Sequence, residues 1–132
     1  MNKIPKYFLS VLGDPKPPDK DEVGSGIYHP DSKYYPFQPE PGDVLILYCT
    51  SSYKDYFMRV PGIGIVLAKN DTEINYRYLP LSRPIYKTEI DVKFEGDDKK
   101  KFDNRRFSSH WLFEISKNSF LNALSDRIIV WP

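Results

Sequence analysis

Six consecutive apolar residues, Val44-Leu45-Ile46-Leu47-Tyr48-Cys49, follow the turn Pro41-Gly42-Asp43 and constrain the fold more than any other stretch of the chain. Successive side chains of a strand point to opposite faces, so an unbroken apolar run has both faces covered and belongs in the middle of a sheet. Everything else in the chain has to supply neighbours and covers for that strand.

Neighbours are readable on both sides of it. Tyr7 to Leu12 is a run of β-formers closed by Gly13-Asp14-Pro15, a turn signal that ends a first strand. Val60 to Ala68 reads as a strand with Gly62 and Gly64 on one face; such a bare strip admits a packed neighbour or a flat ligand. Ile74 to Leu81 alternates Tyr76 and Tyr78 with Asn75 and Arg77, the pattern of a half-exposed hairpin partner that stops before Pro84. From Phe107 to Ile115 the odd positions are mostly aromatic, which predicts a strand whose inner face carries Trp111 and Phe113. Ser116 is positioned to cap a short helix through Leu124, with Phe120, Leu121 and Leu124 toward the core. Ile128 to Trp131 completes the sheet, docks on the core or marks where a domain was cut from a longer chain. Glu95 to Lys101 is a charged run and reads as a solvated loop tip.

Between Pro15 and Pro41 lie seven prolines, counting both ends, and a Gly24-Ser25-Gly26 hinge, which exclude a long helix or strand. The stretch also holds Tyr28, Tyr34, Tyr35 and Phe37, and a purely solvating linker would not carry that much apolar ring. Long ordered loops in compact domains are frequently functional, so this loop is the first place to look for a site. The whole pattern is that of a single α+β domain spanning residues 1–132, a small mixed β-barrel with a peripheral helix or two.

Charge and composition narrow the function. With 19 basic and 18 acidic residues the formal net charge is +1, so no global field exists to hold a long run of duplex phosphates. A reader of one or two extruded nucleotides needs only a local basic rim. The single Cys49 closes no intrachain disulfide, and no apolar run reaches the length of a membrane span. The expectation is a cytoplasmic protein with no membrane association.

The sequence offers no obvious reaction. His29 and His110 are the only histidines and Cys49 the only cysteine, too few for a zinc cluster. A Cys49–His110 pair is conceivable as nucleophile and base, yet Cys49 sits in an apolar strand that disfavours its thiolate. No phosphate-binding glycine loop, nucleophile elbow or metalloprotease motif occurs. Asp14, Asp19, Asp21 and Glu22 are read as solvated rather than as a metal site or an acid–base pair. A non-catalytic binding domain, with no metal and no cofactor, is what these residue types imply.

Three segments resemble the EVE domain of the PUA-like group, whose relatives include the YTH readers of methylated adenine. Lys6-Tyr7-Phe8-Leu9, closing at Gly13-Asp14-Pro15, resembles that family's opening strand. Pro41-Gly42-Asp43 followed by Val44 to Tyr48 and Thr50-Ser51-Ser52 resembles its Gly-Asp turn, strand and hydroxyl-bearing exit. Pro61-Gly62-Ile63-Gly64-Ile65-Val66 is similar to its next strand, and Phe107 to Leu124 to its closing strand and short helix. The resemblance implies a PUA-like mixed β-barrel and a pocket between the opening strand, the long loop and the exit of the Gly-Asp strand, taking a modified base or nucleotide. Carried across, the pocket candidates are Asp14, the loop aromatics Tyr34 and Tyr35, and the segment with Tyr48, Thr50, Ser51 and Ser52; what gripping a base requires adds Tyr28, Lys33 and Trp111 as ligand-binding candidates. Lys54, Arg105 and Arg106 are candidates for phosphate contact. Many EVE domains carry arginine and asparagine ahead of the Gly-Asp turn; here Lys33, Tyr34, Tyr35 and Pro36 stand instead, which shifts weight from polar recognition to stacking.

A flat base is gripped by aromatic faces while hydroxyls read its edge, so Trp111 and the loop tyrosines would form the walls and Ser51 and Ser52 the readers. Each of these has a plainer role too: core packing for Trp111, pinning of the loop for the tyrosines, turn capping for the serines. The expected partner is DNA or RNA carrying a modified base. Two alternatives stand beside it: a binder of a free small metabolite or nucleotide, and a protein-interaction module using the Pro/Tyr-rich loop.

Overall fold

The computed structural model describes residues 4–12, 23–30, 32–50, 58–103 and 112–127. Strands β1 (Tyr7–Leu12), β2 (Ile27–Tyr28), β3 (Val44–Cys49), β4 (Arg59–Lys69), β5 (Ile74–Tyr86) and β6 (Leu112–Ile115) form one sheet. Their spatial order is β2-β5-β4-β3-β1-β6, with β1 and β3 parallel and every other pair antiparallel. Helices α1 (Lys87–Lys93), α2 (Gly96–Asp103) and α3 (Lys117–Leu124) complete the architecture. The apolar run Val44–Cys49 is the strand it was expected to be, lying between β1 and β4 with every residue buried.

Alternation along the central strands divides the core in two. Leu9, Val11, Ile46 and Tyr48 point to one side, where they pack with Ile90 of α1, Phe102 of α2, and Phe120 and Ala123 of α3. Phe8, Leu12, Leu45, Leu47 and Cys49 point to the other side and meet Tyr28 and Phe37 of the proline-rich segment. Helices cover one face and irregular chain covers the other.

Several boundaries differ from the sequence reading. β5 runs on through Pro80 and Pro84 to Tyr86, where a stop before Pro84 was expected. Proline removes a ladder donor, so it is tolerated in a strand only where that donor has nothing to reach. On the side away from β4, β5 pairs with β2 only at Ile74 and Asn75, so among the described residues the outer edge beyond Tyr76 needs no ladder bond.

The charged run at 95–101 is largely helix α2, not a loop tip. Asp97 and Asp98 lie in its first turn and Lys100 and Lys101 in its last, the arrangement that complements the helix dipole. Phe102, wholly buried against Tyr48 and Phe94, fastens it. Helix α1 was not anticipated at all. Its start is marked by the Glu89 carboxylate, which accepts from the Tyr86 N–H at 3.0 Å in the manner of a capping box.

Ser116 caps α3 as expected, its hydroxyl accepting from the Ser119 N–H at 3.1 Å. Phe120 stacks on Tyr7 at 4.5 Å. Leu121, expected inward, is half exposed, because the inward positions go to Ser119, Phe120 and Ala123. Ser119 belongs there for polar reasons: its hydroxyl donates to Asp98 and accepts from the Glu95 N–H, tying α3 to the start of α2. The part of the last predicted strand before Leu112, and the apolar terminus 128–131, lie outside the described residues. Among those described, no helix is long and apolar enough to cross a membrane.

Candidate functional site

Parallel pairing of β1 with β3 sets Leu12 opposite Cys49, and the register then brings Arg59 of β4 and Tyr86 of β5 to the same end of the sheet. β6 begins at that end too, with Leu112 opposite Ser10. Among the candidates, Asp14 follows Leu12 in sequence, Ser51 and Ser52 follow Thr50, and Trp111 precedes Leu112. The residues themselves, with Lys54, Arg105, Arg106 and His110, lie outside the described residues. Thr50 is half buried, its N–H bonded to the Leu12 carbonyl at 2.9 Å.

The remaining candidates separate. Tyr48 points to the helix-covered side, edge-on to Phe102 at 5.2 Å and almost wholly buried, so the sheet itself stands between it and the tyrosines of the loop. Tyr28 is buried on the loop side, and its hydroxyl donates to the Val11 carbonyl at 3.3 Å. It pins the loop to β1. Tyr34 is half buried against the same core, with the Lys33 ammonium 5.3 Å above its ring. Tyr35 alone presents a broad face to solvent, 57% exposed, and is braced edge-on by Phe37 at 5.8 Å next to the cis peptide Tyr35-Pro36.

Polar anchors hold that segment. Asp43 is fully buried, and its carboxylate accepts from the Lys6 N–H at 2.9 Å and the Glu40 N–H at 2.8 Å, joining the Gly-Asp turn to the entry of β1. Lys69 at the end of β4 donates to the Phe37 carbonyl and to Glu40. Ser10, buried on the loop-covered face, has a hydroxyl with no hydrogen-bond partner among the described residues. Burial pushes the Cys49 thiol up to about 12, which suppresses the thiolate that nucleophilic chemistry would need.

The glycine strip of β4 is occupied. A Cβ on Gly62 would lie 2.5 Å from the Tyr78 ring and one on Gly64 2.6 Å from the Tyr76 ring, so the bare strip seats two tyrosines of the neighbouring strand. Packing of another element, one of the two readings the strip allowed, is what it does.

Beside it is a feature the sequence reading missed. Val60 pairs with Ile85 and Gly62 with Pro80, so Pro61 alone faces Leu81, Ser82, Arg83 and Pro84 on β5. The extra residues bulge β5 away from β4 and open a groove of about 360 Å³, lined among others by Arg59, Pro61, Tyr78, Pro80, Ser82 and Arg83. Bulges re-aim side chains and recur next to binding sites. The groove's rim is held from behind: Arg127, buried, donates to the Arg83 carbonyl at 3.2 Å and to the Pro84 carbonyl at 3.0 Å, and pairs with Glu89 at 2.6 Å. The available signal was the presence of Pro61, Pro80 and Pro84 within strand-like sequence, which marks a bulge or an edge.

The class defined by this geometry is an α+β fold with a curled six-stranded sheet and three short helices, consistent with a PUA-like barrel. A solved structure shares it: protein Atu2648 from Agrobacterium tumefaciens, 12% identical over 89% of this chain and 90% of that chain, with a TM-score of 0.55. At that identity the likeness concerns the fold alone. No family model matches the chain, and comparison with curated proteins finds no match.

Proposed function

We propose that this chain is a non-catalytic binding domain of the EVE type that recognises a base or nucleotide, in its finest form a modified base, within DNA or RNA. One observation carries the reading: the two long strands β4 and β5 carry Arg59, Lys69, Arg77 and Arg83 and not one acidic residue. In a chain of net charge +1 these strands are locally basic, with Lys69 and Arg83 paired to Glu40 and Asp126 from neighbouring segments, and Tyr78 and Tyr86 are interleaved with the cations. Positive charge with interspersed aromatic rings is how sequence-tolerant contact with nucleic acid is made, each stacked base contributing about 1–3 kcal/mol. The exposed ring of Tyr35 adds a second stacking face.

A free nucleotide is the second reading, favoured by the size of the bulge groove, about 360 Å³. The test is a titration against short single- and double-stranded DNA and RNA, unmodified and methylated, and against nucleoside monophosphates, with wild type and Tyr35→Ala. Selective binding to a modified oligonucleotide that Tyr35→Ala weakens is the expected result. Binding to a monophosphate without any to oligonucleotides moves the function to a free metabolite. No binding of either kind at low salt overturns both readings.

A further inference from the structure

We infer that the groove at the β5 bulge is a nucleotide subsite: it takes one nucleotide of a single strand, with Arg59 and Arg83 at the phosphate and Tyr78 and the flanking prolines against the sugar or base. This rests on the nucleic-acid reading above and assigns to it a site that the loop tyrosines do not form.

Size comes first. About 360 Å³ lies at the lower end of the range for small-molecule pockets, room for one nucleotide and none for a duplex. The walls are Pro61, Pro80 and Tyr78, rings with little to lose on contact, and the polar side-chain groups among the described lining are Arg59, Ser82, Arg83 and the Tyr78 hydroxyl. Among the described residues that line the groove none is acidic. A groove with flat apolar walls and two arginines in its lining matches a ligand that is a ring at one end and an anion at the other.

Preorganisation comes second. Tyr78 cannot swing inward over β4 because its ring already fills the space above Gly62. The rim carbonyls of Arg83 and Pro84 are fixed by Arg127. Arg59 lies over the ring of Tyr86 with its guanidinium carbon 5.3 Å from the centroid, which orients a cation while leaving its charge in place. Arg83 is held by Asp126, whose side chain is largely exposed. That pair is a competitor for the ligand: a phosphate at Arg83 has to displace, or share with, an exposed carboxylate, which surface screening makes inexpensive.

The experiment is fluorescence anisotropy with a labelled short single-stranded oligonucleotide, the duplex of the same sequence and a nucleoside 5′-monophosphate as competitor. The proteins are the full chain and its Arg59→Ala, Arg59→Lys, Arg83→Ala, Asp126→Asn and Tyr35→Ala variants, each checked for an unchanged melting curve. Arg59→Ala and Arg83→Ala should each weaken single-strand binding by roughly 10-fold and lower the slope of log K against log salt by about one. Arg59→Lys should recover most of that loss, and Asp126→Asn should tighten binding by releasing Arg83. Unchanged affinity in both alanine variants overturns the subsite; if Tyr35→Ala then abolishes binding, the reader stands without it. Direct binding of the monophosphate in isothermal titration calorimetry that is lost in Arg59→Ala, without oligonucleotide binding, keeps the groove and overturns the reader. Duplex binding at least as tight as single-strand binding overturns the single-strand assignment.

Discussion

The two faces of the central sheet are covered by different kinds of chain. On one side three helices satisfy their own backbone and present Ile90, Phe102 and Phe120 to the strands. On the other side a proline-rich segment has no such ladder to rely on and is held by individual bonds from Tyr28, Asp43 and Lys69. Both faces bury apolar side chains, and the difference teaches that irregular chain, with few backbone bonds of its own, needs individual polar anchors to stay on the sheet. The exposed ring of Tyr35 stands on the irregular cover, whereas the bulge of β5 lies beside α1, its rim held by Arg127 and Glu89. Irregular chain and bulged edges have backbone and side chains to spare for a ligand.

Substitutions can break that comparison. The largest effect is expected at Phe102→Ala, which removes a wholly buried ring touching Tyr48 and Phe94 and should cost about 3–5 kcal/mol in urea unfolding. Phe37→Ala, in the loop cover, should cost less, because irregular chain can relax into the space left behind; an equal or greater loss there would remove the distinction. Next is Asp43→Ala, which strips two backbone donors of a buried charged acceptor and should cost about 1.5–3 kcal/mol. Hydrogen exchange at the Lys6 and Glu40 amides should rise in the same variant.

Tyr28→Phe should cost about 0.5–1.5 kcal/mol, since the bond to the Val11 carbonyl is lost while the ring stays. Ser10→Ala runs the other way: deleting a buried hydroxyl that has no partner among the described residues should be neutral or slightly stabilising by thermal melt. A clear destabilisation would show that the hydroxyl is engaged.

The smallest expected effect is electrostatic. Burial alone would raise the Glu89 carboxyl, but hydrogen bonds from Arg127 and the Tyr86 amide, with the charges of Arg127 and Lys93, outweigh it and hold the group below the ordinary value of 4.5. A carboxyl lowered in the folded state binds its proton more readily when unfolded. Its contribution is therefore complete above pH 4.5 and is lost as pH falls through the folded value. Glu89→Gln should flatten that part of the acid-unfolding curve and leave the loop-side anchors untouched.

Local pattern and tertiary context divided the information between them. Residues 44–49, the strand at 7–12 and the Ser116-capped helix were legible, because periodicity, turn chemistry and capping are properties of adjacent residues. The 95–101 run was not, since its charges describe only the solvent side of a helix that one buried Phe102 fastens. Nor was the continuation of β5 through two prolines, which depends on whether a neighbouring strand needs the missing donor, a fact held elsewhere in the chain. For the site, the sequence pointed to the tyrosine-rich segment but not to which rings it would bury. Tyr28 and Tyr35 stand in the same stretch, and only the fold turned one into a pin and left the other exposed. The bulge groove came wholly from tertiary structure: Arg59 and Arg83 are far apart in sequence, and their approach follows from the register of two antiparallel strands, which no local pattern encodes.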